Sequence, residues 1–208
     1  MSLINLGVLI SGRGSNMKAI LSEIKAGKIK NVRPSVVISN NPDASGLRVA
    51  SETFRIPIKV VLSNSTKGWD YDQRIVSVLN EHEVTPKSGL VCLAGFMRIV
   101  SPEFVRLYKH RIMNIHPGLL PSFPGLHAQK QAIEYGVKVA GCTVHFVDEG
   151  VDSGPIILQK AVGVLDSDSE ETLSSRILRE EHKLYPLSVK LFVEGKIEVK
   201  GRKVFIKN

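Results

Sequence analysis

The sequence predicts an α/β fold: a mostly parallel, Rossmann-like sheet with helices on both faces and antiparallel strands toward the C-terminal part. Three observations favour this class. Strand-like and helix-like segments alternate along the first two-thirds of the chain, residues 89–94 are entirely apolar, and a glycine-rich turn follows the first strand. Such alternation is typical of parallel sheets with right-handed crossovers, and an all-apolar strand is typical of a sheet covered on both sides.

The first half of the chain alternates in a regular order. Apolar runs predict strands over Ile4–Ile10, Val32–Ser39, Ile58–Leu62 and Gly89–Ala94. Apolar residues at helical spacing predict helices near Asn16–Ala26, near Ala44–Phe54 and around Ile75–Leu79.

The second half is predicted to turn antiparallel. A short helix (Pro102–Tyr108), a strand ending at Ile115 and a helix near Ala128–Tyr135 precede two longer strands, Val139–Val147 and Pro155–Val164. Ser167 with Glu170 fits a capping box that opens a long helix to about Val193, which Pro186 should kink. We expect residues 1–195 to form one domain. Residues 196–208 should form a basic hairpin or tail.

Length and composition narrow the class of protein. The chain has 208 residues, of which 43% are hydrophobic and 23% charged, and this usage excludes a disordered, collagen-like or coiled-coil protein. Its apolar runs are far shorter than the roughly 20 residues of a membrane helix, and the N-terminus has no signal-peptide pattern. We therefore expect no membrane partner and a cytoplasmic location, where Cys92 and Cys142 are buried free thiols.

The formal net charge of +8 comes from the two ends of the chain. Nucleic-acid binding is one interpretation of a basic protein. However, only 6% of the residues are aromatic and they are not interleaved with the basic ones, so stacking platforms for bases are scarce. We expect no nucleic-acid partner and small anionic substrates. The histidines lack Cys/His ligand spacing, so we expect no metal.

The turn Ser11–Asn16 is a candidate anion site, because a helix N-terminus presents free N–H groups and a favourable dipole to an anion. A dinucleotide fingerprint would need a glycine where Met17 stands and an acid where Asn40 and Asn41 stand. A phosphate is therefore the better match. The alternative is a tight turn that uses glycine only for its backbone dihedrals.

Asn114 and His116 are candidate oxyanion donors. Strand alternation puts them on the same side of their strand with Ile115 facing the core, and Pro117 keeps His116 out of the helical region. Two donors on one side could flank an oxyanion; a structural histidine is the alternative. The loop 148–154 contains three carboxylates, and one beside His116 would fix its tautomer. The residues alone leave open which one.

The long helix carries an acid where its buried stripe should continue. The stripe consists of Leu173, Ile177, Leu184, Leu187 and Leu191, and Glu180-Glu181 interrupts it. An acid on an apolar stripe destabilises the fold unless it is paired or solvated. A carboxylate that reaches polar ligand hydroxyls explains it, and so does a helix rotated outward at that turn.

Four motifs in order resemble the folate-dependent formyltransferases. They are Ser-Gly-x-Gly-Ser-Asn after the first strand, Ala-Gly-Phe-Met-Arg-Ile, Asn-Ile-His-Pro-x-Leu-Leu-Pro and Asp-x-Gly-Pro-Ile-Ile, and the resemblance spans roughly residues 4–193. It implies transfer of a formyl group from the co-substrate 10-formyltetrahydrofolate to the amine of 5′-phosphoribosylglycinamide, without a metal. It also implies that the N-terminal half of residues 1–195 binds the phosphoribosyl compound and that the C-terminal half binds the folate and is catalytic. It further implies a monomer or weak homodimer.

The resemblance also implies roles for individual residues. Asn114, His116 and Asp152 match the catalytic trio, and this selects Asp152 among the three acids of its loop. The residues implied for binding phosphoribosylglycinamide are Gly14, Ser15, Asn16, Lys67, Pro117 and Glu181. Those implied for the folate pocket are Met97, Arg98, Ile99, Val100, Val147 and Asp148.

The chain departs from the family pattern at two positions and leaves some alternatives open. Gly118 stands where relatives usually carry Ser, and Leu178 where some carry a polar residue. A tRNA-formylating relative would continue into a further domain, and a formyltetrahydrofolate hydrolase usually has a domain before its first strand. A nucleotide-binding module without catalysis would explain the fold and the glycine turn, but not Asn114, His116 and Asp152 together.

Overall fold

The computed structural model describes residues 3–207. The strands are β1 (Ile4–Ile10), β2 (Val32–Ser39), β3 (Ile58–Val60), β4 (Gly89–Leu93), β5 (Ile112–His116), β6 (Val139–Phe146), β7 (Ile156–Gly163), β8 (Ile197–Lys200) and β9 (Lys203–Ile206). The helices are α1 (Ser15–Lys25), α2 (Ser45–Arg48), which continues into a π-helical turn (Val49–Thr53), α3 (Trp69–Glu81), α4 (Pro102–Leu107), α5 (Ala128–Tyr135) and α6 (Glu170–Val193).

Seven strands form one sheet in the order β3-β2-β1-β4-β5-β6-β7. The first five are parallel, while β6 and β7 pair antiparallel to their neighbours. Both faces of the sheet are covered: α1, α2, α5 and α6 contribute to one buried cluster, and α3 and α4 to the other. The predicted fold class is therefore confirmed.

Helix α6 differs from its prediction in two details. It is capped by Ser169 rather than Ser167: the Ser169 hydroxyl accepts from the Thr172 N–H (3.2 Å), and the Thr172 hydroxyl accepts from the Ser169 N–H (3.0 Å). Leu187 is 45% exposed, whereas Tyr185 is fully buried. Two residues turn a helix by about 200°, so these two side chains point to opposite faces. Helical structure continues through Pro186.

The C-terminal hairpin β8–β9 forms as predicted and packs against the domain. Ile197, Val199 and Val204 lie against the larger apolar cluster, and the Arg202 guanidinium donates to the Ser153 carbonyl oxygen at 2.8 Å. The division of the chain at residue 195 stays a prediction. Within residues 3–207, no helix has the length and apolarity needed to cross a membrane.

Candidate active site

The sheet brings three of the predicted site segments to one edge. Strands β1, β4 and β5 are neighbours, with Leu9 beside Leu93 and Leu93 beside Asn114. The loops that follow these strands therefore meet, as expected for the ligand crevice of an open parallel sheet. The Ser11 hydroxyl links two of the loops by accepting from the Met97 N–H at 2.8 Å.

The glycine-rich turn is shaped for a close approach of backbone. Gly14 has φ of 65° and precedes the first residue of α1, a conformation that glycine adopts without the cost of a side chain. The Gly46 N–H donates to the Gly12 carbonyl at 3.1 Å. A Cβ built on Gly46 would lie 2.7 Å from Ile10 Cδ1 and 2.9 Å from the Gly12 oxygen. Gly46 therefore lets α2 support the turn, a role that no local sequence pattern indicated.

Asn16 and Glu181 form a buried pair beneath this turn. The Asn16 amide donates to Glu181 Oε2 at 2.7 Å, and both side chains are more than nine-tenths buried. Burial raises the pKa of Glu181, although the Asn16 hydrogen bond and the charge of His116 oppose this. Within residues 3–207, the buried Asn16 amide oxygen has no hydrogen-bond partner. The pair therefore retains hydrogen-bonding capacity, which suits a ligand rich in hydroxyls.

Asn114, His116 and Asp152 lie in contact, although Asp152 belongs to a loop remote in sequence. His116 Nδ1 is 3.2 Å from Asp152 Oδ2, and the Asn114 amide nitrogen is 3.4 Å from Asp152 Oδ1. Strand β5 extends one residue beyond its predicted end and includes His116. The loop backbone at Asp152 is left-handed, with φ of 50°, which turns its carboxylate toward the end of β5.

Both ring nitrogens of His116 face acceptors. Nδ1 faces the Asp152 carboxylate, and Nε2 lies 2.8 Å from the Phe123 carbonyl oxygen. Neither of these oxygens can donate, so both contacts are hydrogen bonds only if both nitrogens carry protons. The arrangement therefore suits an imidazolium, and the ring is only 3% exposed.

Asp152 is held as a carboxylate by its neighbours. Burial of the carboxyl acts to raise its pKa, but interactions with His116, His145 and the Gly125 N–H outweigh burial and lower the pKa well below its usual range. The Gly125 N–H donates to Asp152 Oδ2 at 2.8 Å. The carboxylate thus stays charged at neutral pH and places a negative charge beside the His116 ring.

Three residues of this cluster were missed from the sequence: Phe123, Gly125 and His145. His145 is 2% exposed, and its Nε2 lies 3.3 Å from the Asn114 amide nitrogen and 3.6 Å from Asp152 Oδ1. Its place follows from the β5–β6 ladder, where it stands opposite Asn114. A single histidine within the apolar run 139–147 was the available signal. Phe123 and Gly125 act through backbone atoms, which carry no residue-type signal.

The residues implied for the folate pocket divide by exposure. Met97 and Ile99 are 65% and 78% exposed, whereas Val100 is buried. The Arg98 guanidinium lies over the Tyr71 ring, 4.2 Å from its centroid, and donates to the Thr66 carbonyl at 2.8 Å. The Arg98 side chain therefore turns toward the loop that carries the exposed Lys67.

The remaining implied residues lie at the mouth of the same site. Asp148 accepts from the Ser153 hydroxyl at 2.6 Å and from the Gly150 N–H at 3.1 Å, so it shapes the loop that presents Asp152. Val147 is half-buried against the smaller core cluster. Pro117 directly follows His116, which is the last residue of β5. The ligand contacts assigned to these residues stay predictions.

Comparisons with known proteins now identify the family. The family model described as "Formyl transferase" matches residues 4–189. This chain belongs to the formyl transferase family. It is 41% identical over 196 residues to the phosphoribosylglycinamide formyltransferase of Escherichia coli, covering 94% of this chain and 90% of that protein.

Two further formyl transferase relatives show how this chain compares in extent. It is 44% identical to the trifunctional purine biosynthetic protein adenosine-3 of Drosophila melanogaster over 91% of this chain, but spans only 14% of that longer protein. The glycinamide ribonucleotide transformylase 1 of Symbiobacterium toebii has a crystal structure with TM-score 0.93 and 47% identity, covering 99% of this chain and 95% of that one.

A metal centre was not expected from the sequence. Over the part of the chain that the structure describes, no three His, Cys, Asp or Glu side chains are grouped as ligands for a metal ion.

Proposed function

We propose that this protein transfers the formyl group of 10-formyltetrahydrofolate to the amine of 5′-phosphoribosylglycinamide, a step of purine biosynthesis. The observation that carries the proposal is the likeness to the Escherichia coli enzyme, which extends over nearly the whole of both chains. The site agrees with this chemistry, because the N-terminus of α1, a buried carboxylate and the Asn114–His116–Asp152 cluster lie at one edge of the sheet.

The reaction needs charge stabilisation and a proton transfer. The neutral amine attacks the formyl carbon, a C–N bond forms, and the formyl oxygen becomes an oxyanion. The amide of Asn114 and the imidazolium of His116 donate to that oxygen, and one such donor contributes roughly 10²–10³ in rate. The bond to the folate nitrogen then breaks, and that nitrogen takes up the proton that the amine loses.

Asp152 supports this chemistry mainly through its charge. A carboxylate with a lowered pKa is a weak base, so it is poorly suited to take the amine proton directly. We assign it two tasks: it keeps His116 protonated, and it orients a water that relays the proton to the folate nitrogen.

Donation from His116 to the substrate requires a partner exchange. Its Nε2 is bonded to the Phe123 carbonyl, so the formyl oxygen must replace that carbonyl as acceptor. One acceptor then substitutes for another, so the Nε2 donor stays paired throughout the exchange.

The two substrates are assigned to different parts of the edge. The phosphate of phosphoribosylglycinamide binds the N-terminus of α1 near Gly14 and Ser15, with a further contact from Lys67, and its ribose hydroxyls bind Glu181. The folate lies along residues 97–100 and 147–148, with the exposed Met97 and Ile99 supplying apolar surface. We further propose a cytoplasmic, monomeric or weakly dimeric enzyme without a nucleic-acid partner.

The test is an absorbance assay for tetrahydrofolate release from 10-formyltetrahydrofolate. Phosphoribosylglycinamide, water and formylatable tRNA are compared as acceptors, and product is expected only with phosphoribosylglycinamide. Equal release with water alone would make the protein a hydrolase and contradict the proposal. Calorimetry with ATP and NAD adds a second check, because a nucleotide-binding module would bind one of them and this enzyme should bind neither.

A further inference from the structure

Ser11 joins the loops that follow three neighbouring strands, β2, β1 and β4. It is the first residue after β1, and its N–H donates to the Gly95 carbonyl beyond β4 at 3.0 Å. Its carbonyl accepts from the Asn41 amide beyond β2 at 3.3 Å. Both bonds use backbone atoms of Ser11, so alanine at this position would keep them. The start of the glycine turn therefore does not depend on the Ser11 side chain.

The hydroxyl of Ser11 makes two further hydrogen bonds. It donates to Asn40 Oδ1 at 2.5 Å and accepts from the Met97 N–H at 2.8 Å. A hydroxyl carries one proton and two lone pairs, so the bond to Asn40 leaves its lone pairs free for the Met97 N–H. Replacing Ser11 by alanine would remove both bonds and leave this N–H without its protein acceptor.

Met97 is the first residue of the folate segment, which we define as residues 97–100. The segment contains no helix or strand, and over the described residues 3–207 no other backbone N–H of the segment donates a hydrogen bond. Beyond its far end, the Ser101 N–H donates to Oδ2 of Asp72 at 2.5 Å, and Asp72 is 1% exposed. The backbone of the segment is therefore tied at its two ends, and Ser11 holds the end beside the glycine turn.

We propose that Ser11 is a positioning residue, whose hydroxyl holds the folate segment in the conformation that binds folate. The inference rests on the proposed function, because the assignment of folate to this segment is part of it. A segment that is ordered before binding loses less conformational entropy when the ligand arrives, so its affinity is higher. Folate affinity should therefore depend on a residue of the turn that is assigned to the other substrate.

The experiment compares Ser11→Ala with Ser35→Ala. Ser35 lies in β2, is 8% exposed and donates to the Arg33 carbonyl at 3.2 Å, so this variant also removes a bonded hydroxyl but leaves the folate segment untouched. Calorimetry with tetrahydrofolate measures affinity without turnover. We expect its Kd to rise about three- to tenfold in Ser11→Ala, as for the loss of one neutral hydrogen bond. The KM for phosphoribosylglycinamide should stay within about twofold of the wild-type value.

A second variant tests the orientation of the hydroxyl. Asn40→Ala removes the acceptor of the hydroxyl proton but leaves the hydroxyl, so the Kd for tetrahydrofolate should rise less than in Ser11→Ala. The double variant should bind no more weakly than Ser11→Ala, because both changes act through the same group. Without any ligand, the Met97 amide proton should exchange with solvent faster in Ser11→Ala than in the wild type or Ser35→Ala.

The outcomes separate this inference from the proposed function. A wild type that binds tetrahydrofolate but formylates no phosphoribosylglycinamide would contradict the proposed function alone, and one that binds no tetrahydrofolate would overturn both. An unchanged Kd in folded Ser11→Ala would overturn the inference alone, even with a lower Tm, as would an equal rise in Ser35→Ala or fully additive rises in the double variant. If Ser11→Ala does not fold, an unprotected Met97 amide in the wild type or a normal Kd in Asn40→Ala still contradicts the inference.

Discussion

Asp152 and Glu181 are both largely buried carboxylates near His116, and the protein surrounds them in opposite ways. Asp152 faces donors from Gly125, His116 and Asn114, and its pKa is lowered despite its burial. Among residues 3–207, Glu181 accepts one hydrogen bond, from Asn16, and burial raises its pKa. The protein therefore supplies several hydrogen-bond donors to Asp152 before any substrate binds, whereas it supplies fewer to Glu181.

The difference indicates what each carboxylate does. A carboxylate that is satisfied by the protein can hold a charged partner in place, and its geometry is preorganised for the reaction. A buried carboxylate with too few donors destabilises the free protein, and ligand hydroxyls relieve that cost when they bind. We therefore expect Asp152 to affect turnover and Glu181 to affect substrate affinity.

Replacing Asp152 by Asn tests the satisfied carboxylate and should have the largest effect. The amide removes the negative charge beside His116. Its NH2 group also cannot accept the hydrogen bonds that one carboxylate oxygen of Asp152 accepts now. Asn tolerates the left-handed backbone of this position, so the loop should keep its shape. We expect kcat to fall by about two to three orders of magnitude with small changes in KM, measured by tetrahydrofolate release.

The matched experiment is a cycle with His116→Ala. If the two side chains act as one unit, the double variant should be no slower than the slower single variant. Fully additive losses, or near-normal turnover in Asp152→Asn, would contradict the pairing.

The lowered pKa of Asp152 stabilises the fold above the unfolded-state value near 4, and this contribution is lost as the pH falls further. The Tm difference between wild type and Asp152→Asn should therefore shrink below about pH 4.

Replacing Glu181 by Gln tests the unsatisfied carboxylate. The amide keeps the shape and can still accept from Asn16, but it removes the buried charge and its strong hydrogen bonds to hydroxyls. We expect the KM for phosphoribosylglycinamide to rise about tenfold, since one charge-assisted hydrogen bond contributes at least 1.4 kcal/mol. An effect confined to the folate KM would exclude the assigned role.

The same variant should make the free enzyme more stable at neutral pH. Because the folded-state pKa of Glu181 is raised, its ionisation penalises the folded state above that pKa, and the penalty is absent below the unfolded-state value near 4.3. Thermal melts should give a higher Tm for Glu181→Gln at pH 7, by roughly 2–4 °C per kcal/mol. The Tm difference between Glu181→Gln and the wild type should become smaller toward pH 4.5. A lower Tm for Glu181→Gln than for the wild type at pH 7 would contradict this account.

The same contrast separates what the sequence could and could not predict. The Glu181 region was visible as an acid on an apolar helix stripe, which local periodicity records. The candidate anion turn was visible as glycines after a strand. Asp152 was selected among three acids only by resemblance. Its donors from Gly125 and the His116 contact with Phe123 arise from backbone atoms of a remote loop. Local rules do not report such contacts, and the misplaced cap of α6 shows that even local rules shift by a residue or two.

Replacing Gly46 by Ala tests the backbone support of the proposed anion site. Its Cβ would press on Ile10 Cδ1 and on the Gly12 carbonyl, so α2 and the glycine turn must separate by a few tenths of an ångström. We expect a rise of about three- to tenfold in the KM for phosphoribosylglycinamide with little change in the folate KM. Gly163→Ala, in which the new Cβ would meet nothing within 4 Å, serves as the control. Equal changes in both KM values would show a general disturbance.

The smallest expected effect concerns the basic hairpin β8–β9. Arg202 donates to the carbonyl of Ser153, next to Asp152, while Arg106 pairs with Glu149 at 3.0 Å earlier in the same loop. Both contacts are exposed, and such contacts contribute little because water competes for the same groups. We expect Arg202→Ala to lower kcat by less than about threefold, and Lys203→Ala, a neighbouring exposed charge, to leave it unchanged. A tenfold loss in Arg202→Ala would mean that the hairpin holds Asp152 in place, and the preorganisation of that carboxylate would then depend on the chain's C-terminal residues as well as on the donors around it.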